Sequence, residues 1–118
     1  MTVNKREQGN KGEEIAARYL EGQGFKIFAR NYRFERGEID IVAEDGGELV
    51  FVEVKMRSSL AFGYPEESVT PQKEEQIRNV AEGYLLEHGI EEKPCRFDIV
   101  AIQLKGEEPE INHIRDAF

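Results

Sequence analysis

Residues 37–55, GEIDIVAEDGGELVFVEVK, decide the fold. Their apolar content is that of a buried β-hairpin with Gly46-Gly47 at its tip, yet Glu38, Asp40, Glu53 and Lys55 are set along the strands. With a two-residue loop, facing positions have residue numbers that sum to 93, so Val42 faces Phe51, Asp40 faces Glu53 and Glu38 faces Lys55. Side-chain alternation then puts Asp40, Glu53 and Lys55 on one face. The other face carries Ile39, Ile41, Ala43, Val50, Val52 and Val54 as continuous core. A three-residue loop would slip the register by one, and the apolar alternation opposes that slip.

Facing residues on paired strands have Cβ atoms roughly 5 Å apart, so two facing carboxylates repel unless something intervenes. Solvent, a shared proton, a cationic side chain or a metal would each serve. The plainest reading is an exposed hairpin end whose charge Lys55 and Arg57 balance. Against it, Val42 and Phe51 share the face, which implies burial and favours a divalent cation. Mg²⁺ takes oxygen ligands, typically one or two carboxylates completed by waters and phosphate oxygens. A lysine two residues from such a carboxylate can steady an attacking water or the charge building on a phosphate.

Outward from the hairpin, the chain reads as one continuous domain over its 118 residues, with a core at about 9–104 and residues 105–118 as an edge strand or tail. Residues 9–21 read as a helix, with Glu13, Ala16, Ala17 and Leu20 on one face and Gly22 and Gly24 at its end. Residues 25–34 alternate as a strand that leaves through an Arg36-Gly37 turn. The stretch RSSLAFGYPEESV, from residue 57, reads as a long surface loop, a common place for function. Thr70-Pro71 starts a second helix as N-cap and first turn, and Ile77, Val80, Ala81, Tyr84 and Leu85 form its apolar stripe. Gly89 closes that helix and residues 96–104 read as a fourth strand. The order is α-β-β-β-α-β, an α/β domain with helices packed on a mixed sheet.

Composition narrows the function. Apolar content of 39% with 34% charged residues fits a soluble globular chain, and no run approaches the roughly 20 apolar residues of a bilayer span. The N-terminal residues lack the apolar core of a signal peptide, so the expected location is the cytoplasm, without membrane contact. Cys95 is the sole cysteine, which excludes a disulfide framework or cysteine metal cluster; it reads as a buried packing thiol. His88 reads as a dipole partner at a helix C-terminus, and nothing singles out His113. A net charge of −8 opposes nonspecific nucleic-acid binding. Residues 1–36, however, hold eight Lys or Arg against five Glu, a net +3 that leaves −11 for the remainder. Such a basic third suits a local anion-binding surface and equally an ordinary solvated one.

Asp40 followed by Glu53-Val54-Lys55 resembles the PD-(D/E)xK signature of the restriction-endonuclease-like superfamily, with Ile39 where the motif has proline. The wider text is more specific. GNKGEEIAARYLEGQGFKIFARNYRFERGEIDIVAEDGGELVFVEVKMRSS, then FG, SVTPQK, the helix to YLL, and RFDIVAI resemble the YraN-like family of predicted endonucleases. The resemblance runs from about residue 9 to about residue 104. It implies a restriction-endonuclease-like αβββαβ core and similarity to archaeal Holliday-junction resolvases.

Carried onto these positions, the resemblance implies Asp40 and Glu53 as ligands of Mg²⁺ or Mn²⁺, Lys55 as the catalytic lysine and Glu13 as a further acid at the metal. On the residues alone, Glu13 is also readable as a helix-start acid near the dipole. Lys73 matches a lysine of the family's second helix and would contact phosphate, although an exposed helix lysine is the simpler reading. Glu38 reads as a supporting acid or as the ion-pair partner of Lys55. Arg57, Ser58 and Ser59, and more weakly Arg30, Arg33 and Arg36, are candidates for phosphate contact.

The implied activity is endonucleolytic hydrolysis of DNA, with branched recombination or repair intermediates as candidate substrates. Symmetric cleavage of a junction would call for a homodimer. Two other readings stand beside it: a nucleic-acid- or partner-binding module that keeps the fold without cleavage, and a structural α/β adaptor with solvated hairpin charges.

Overall fold

The computed structural model describes residues 5–57, 69–106 and 108–118, with side chains from Lys11 onward. In chain order the elements are α1 (Lys5–Gly22), β1 (Lys26–Phe34), β2 (Gly37–Asp45), β3 (Glu48–Arg57), α2 (Pro71–Glu87), β4 (Cys95–Lys105) and β5 (Glu108–Ile114). The five strands form one sheet in the order β1-β2-β3-β4-β5. β3 and β4 run parallel, and every other neighbouring pair is antiparallel. This mixed sheet with two helices is compatible with a restriction-endonuclease-like core. None of the described helices is long and apolar enough to cross a membrane.

The hairpin register is the expected one from Asp45↔Glu48 to Ile41↔Val52 around the Gly46-Gly47 tip, and it stops short of the expected Asp40↔Glu53 and Glu38↔Lys55 pairs. Both glycines have positive φ, 57° and 93°, as a tight two-residue turn demands. α2 begins as expected, with Thr70 as N-cap accepting from the Lys73 N–H at 3.2 Å and Pro71 opening the helix. α1 starts at Lys5 rather than residue 9, because Lys, Arg, Glu and Gln at 5–8 are good helix formers.

The sheet is covered on both sides, so the hairpin has two apolar faces rather than one. Val50 and Val52 pack with Ile41, Ala43, Val100 and Ile102 under Ala16, Ala17 and Leu20 of α1. Leu49 and Phe51 alternate with them and pack with Val42 under Ile77, Val80, Ala81 and Tyr84 of α2. Ile39 departs from expectation: it joins the α2 cluster, not the cluster that holds Ile41. The cause is local. The β2–β3 ladder stops at Ile41↔Val52, while β2 stays paired to β1 as far as Gly37↔Phe34 and β3 stays paired to β4 as far as Arg57↔Gln103. The two strands therefore part into a fork, and the strict alternation of a paired hairpin no longer binds residues 37–40.

Close approach fixes where the helices sit over this fork. A Cβ on Gly37 would lie 2.3 Å from Val80 Cγ2, and one on Gly83 would lie 2.3 Å from the Phe34 ring. α2 is thereby seated directly on the start of β2.

At the other end of the sheet lies a buried polar hub. Asp98 is fully buried and accepts from Arg96 Nε at 2.9 Å, His113 Nε2 at 2.7 Å and the Asp116 N–H at 3.1 Å. Arg96 also reaches Asp45 and Glu48, and the other ring nitrogen of His113 lies 3.2 Å from Tyr19 Oη of α1. The hub ties the hairpin tip, both C-terminal strands and α1 together. Nothing in the sequence had singled out His113, and the C-terminal stretch that carries it is the edge strand β5. Cys95 is exposed rather than buried: it opens β4, and its Sγ donates to the Lys93 carbonyl at 3.3 Å. His88 is the α2 C-cap, with Nδ1 at 2.9 Å from the Tyr84 carbonyl.

Candidate metal centre

The fork leaves backbone donors without a strand partner, and the site is built on that gap. Val54 N–H, two residues past the last β2–β3 pair, donates to Asp40 Oδ2 at 2.8 Å. A carboxylate thus does the work of a missing ladder carbonyl, and its orientation is fixed by the backbone. Glu53, adjacent on β3, is 4% exposed, and Asp40 and Glu53 lie close enough for each charge to act on the other.

Helix α1 brings a third acid. Glu13 shares the buried face with Ala16, Ala17 and Leu20, as its spacing had indicated, and is 9% exposed. Gly12 lets the helix come close, since a Cβ there would stand only 3.3 Å from Met56 Cβ of β3. Carboxylate oxygens of Glu13, Glu38 and Asp40 all lie within 4.8 Å of one another. Glu13 Oε2 is buried and has no hydrogen-bond partner.

Electrostatics follow from burial. Glu53 is pushed up to about 7, first by burial and then by the Asp40 charge, against the opposing Lys73 and Lys55. Asp40 is also raised by burial, against the Val54 N–H, with the Glu38 charge adding to the rise. Glu13 rises for the same first reason, against a side-chain hydrogen bond from Asn31 and the Arg30 charge, with the Asp40 and Glu38 charges adding to the rise. Three clustered acids that each resist ionisation form an environment in need of positive charge.

Two lysines supply some. Lys55 Nζ lies 3.5 Å from Glu53 Oε1, and Lys73 Nζ reaches the same oxygen at 3.9 Å from α2. Lys73 is therefore at the site, not simply an exposed helix lysine. Glu38 does not pair with Lys55; its ion-pair neighbour is Arg33, at 3.9 Å. Arg30 pairs with Glu14 at 3.0 Å and its charge also reaches Glu13, while Arg36 offers its carbonyl to Gln76. Arg57 ends β3; Ser58, Ser59 and the long loop that follows lie outside the described residues. The sequence pattern had paired Asp40 with Glu53, the resemblance had added Glu13, and of the two readings of Glu38 the geometry supports the acid beside Glu13 and Asp40. Its signal was its place two residues before Asp40 on the same strand.

The residues fit a hard divalent cation: an all-oxygen donor set, a buried unpartnered carboxylate oxygen, and carboxylates raised first by burial and further by one another's charge.

Comparison with known proteins agrees with the resemblance at the level of family. Residues 12–102 match the family described as "Uncharacterised protein family UPF0102". A UPF0102 protein of Dehalococcoides mccartyi is 44% identical over 118 residues, covering 100% of this chain and 98% of its own. One from Clostridioides difficile is 45% identical, covering 98% of this chain and 100% of its own, and one from Chlorobaculum parvum is 50% identical over 93% and 90%. Matched across most of its length and nearly end to end with these relatives, the chain belongs to the UPF0102 family.

Proposed function

We propose that this protein is a divalent-metal-dependent nuclease that hydrolyses phosphodiester bonds in DNA. The observation that carries the reading is the buried acid group at the fork, with Glu13 Oε2 unpartnered and Lys55 and Lys73 converging on Glu53. Asp40, Glu53 and Glu13 would hold Mg²⁺ or Mn²⁺. Such an ion, when bound, polarises a phosphoryl oxygen and makes water a better nucleophile at neutral pH. The chain's own residues do the rest. Val54 N–H fixes the Asp40 carboxylate. Lys55 and Lys73 hold positive charge beside Glu53, where a phosphate dianion-like transition state would need it. Arg33 on β1 and Arg57 on β3, strands that border the fork, would meet flanking phosphates. Symmetric cutting of a branched junction would take two copies of the chain.

Calorimetric titration with Mn²⁺ and cleavage assays on branched, single-stranded and duplex DNA test this. The wild type is expected to bind Mn²⁺ near neutral pH, Asp40→Ala to lose that binding, and at least one DNA to be cut only with Mg²⁺ or Mn²⁺ present. Failure of the wild type to bind any divalent ion would sink the reading. A net charge of −8 favours a second one, a binding module with the same site. Its mark is ion binding with no cleavage of any of the three DNAs.

A further inference from the structure

Building on that reading, we propose that Asn31 is a positioning residue for Glu13. Its left-handed backbone turns a residue of β1 onto helix α1, and its carboxamide orients the glutamate.

Among the described residues, three other than glycine have positive φ, and Asn31, at 53°, is the one inside a strand. Asn enters this region more readily than most residues, but a strand gives it no local reason to do so. The effect shows in the alternation of β1. Ala29 and Tyr32 both pack against the α2 cluster, although an unbroken strand sends residues three apart to opposite faces. The ladder to β2 keeps step across the break, with Arg30↔Ile41 before it and Tyr32↔Ile39 after it. No residue is inserted; one is turned over. β2 does the same at the facing position, Asp40, since Val42 and Ile39 also share the α2 cluster.

What turns over meets α1. Arg30 bonds Glu14 Oε2 at 3.0 Å and the Asn31 carboxamide donates to Glu13, so successive strand residues take successive acids of the helix. Glu13 is 9% exposed and its Oε2 has no partner, which leaves the Asn31 bond to the other oxygen. The residue type matters here. A lysine or arginine at this position would neutralise Glu13. An amide fixes one oxygen and leaves the charge and the second oxygen for a cation. Left-handed residues of this kind persist where their surroundings hold them, and they gather at working sites.

Asn31→Gly separates the amide from the backbone, because glycine takes the same φ without strain and the side chain removed is exposed. With chelator present, its Tm should stay close to that of the wild type. Its Mn²⁺ affinity, measured by calorimetry, should fall roughly tenfold or more. In Glu13→Gln, which keeps Asp40 and Glu53, adding Asn31→Gly should change Mn²⁺ affinity by less than about twofold, because the amide acts through the glutamate. Wild-type affinity in Asn31→Gly, or an equal loss in the Glu13→Gln background, overturns the role of Asn31 and leaves the nuclease reading intact. An Asn31→Gly protein that melts far below the wild type in chelator assigns Asn31 to the fold and overturns the role as well. A wild type that binds no divalent ion overturns both.

Discussion

Lys55→Ala is expected to lower DNA cleavage by roughly 10²–10³-fold while Mn²⁺ affinity changes by no more than about threefold. Lys55 lies 3.5 Å from Glu53 Oε1 and is 30% exposed, so it borders the proposed cation position and would donate no ligand to it. Its positive charge counts most where negative charge accumulates during phosphoryl transfer, and little for ion affinity. Removing an interaction made chiefly in the transition state lowers rate rather than binding. Lys73, 3.9 Å from the same oxygen, is a partial substitute. Lys73→Ala should cost only about tenfold alone, and the double replacement should cost more than the product of the singles, because each lysine covers for the other. Single-turnover cleavage at pH 8, beside calorimetry with Mn²⁺, checks this. Parallel losses of rate and ion affinity in Lys55→Ala would reduce Lys55 to a support for Glu53.

How much of this was legible beforehand depended on whether the signal was local. The Gly46-Gly47 turn and the apolar alternation specify the register from Asp45↔Glu48 to Ile41↔Val52, but the expected Asp40↔Glu53 pairing does not form, and the two acids act on each other only across the fork. The Glu13 face of α1 followed from helical spacing in the same way. The fork could not be read, because it is a loss of pairing, and periodicity assumes that pairing continues. Ile39 crossed to the α2 cluster and Glu38 turned to Glu13 and Asp40 for this one reason. Lys73 was a candidate through the resemblance alone; its approach to Glu53 depends on how closely α2 packs at Gly37 and Gly83, a tertiary fact with no sequence period. The Asp98 hub escaped for a related cause: Asp98 and His113 meet only because β5 pairs with β4.

Two of the buried carboxylates, Glu53 and Asp98, should respond to neutralisation in opposite directions. Asp98 is buried, which alone would raise it, but His113, Arg96 and the Asp116 N–H outweigh burial and hold it below the usual carboxylate range. Its ionised form stabilises the fold above about pH 4, and that contribution is lost as pH falls through the lowered value. Asp98→Asn is expected to cost roughly 3 kcal/mol at pH 7, since Arg96 and His113 lose a buried charged partner. Glu53 is the reverse case. Raised from 4.5 to about 7, it binds a proton more tightly folded than unfolded, so stability falls as pH rises from about 4.5 through about 7. The shift sets a ceiling of roughly 3 kcal/mol on that loss, at about 1.4 kcal/mol per unit. Without divalent ions, wild-type Tm should drop on going from pH 5 to pH 8. Glu53→Gln should lack most of that drop and be the more stable protein at pH 8, by roughly 1–2 kcal/mol. Mn²⁺ at about a hundred times its dissociation constant should restore roughly 2.7 kcal/mol to the wild type and much less to Glu53→Gln. Thermal melts at the two pH values, with chelator and with Mn²⁺, decide it. A flat wild-type profile would mean that the lysines neutralise Glu53 in full, and the repulsion that argues for a cation would be gone.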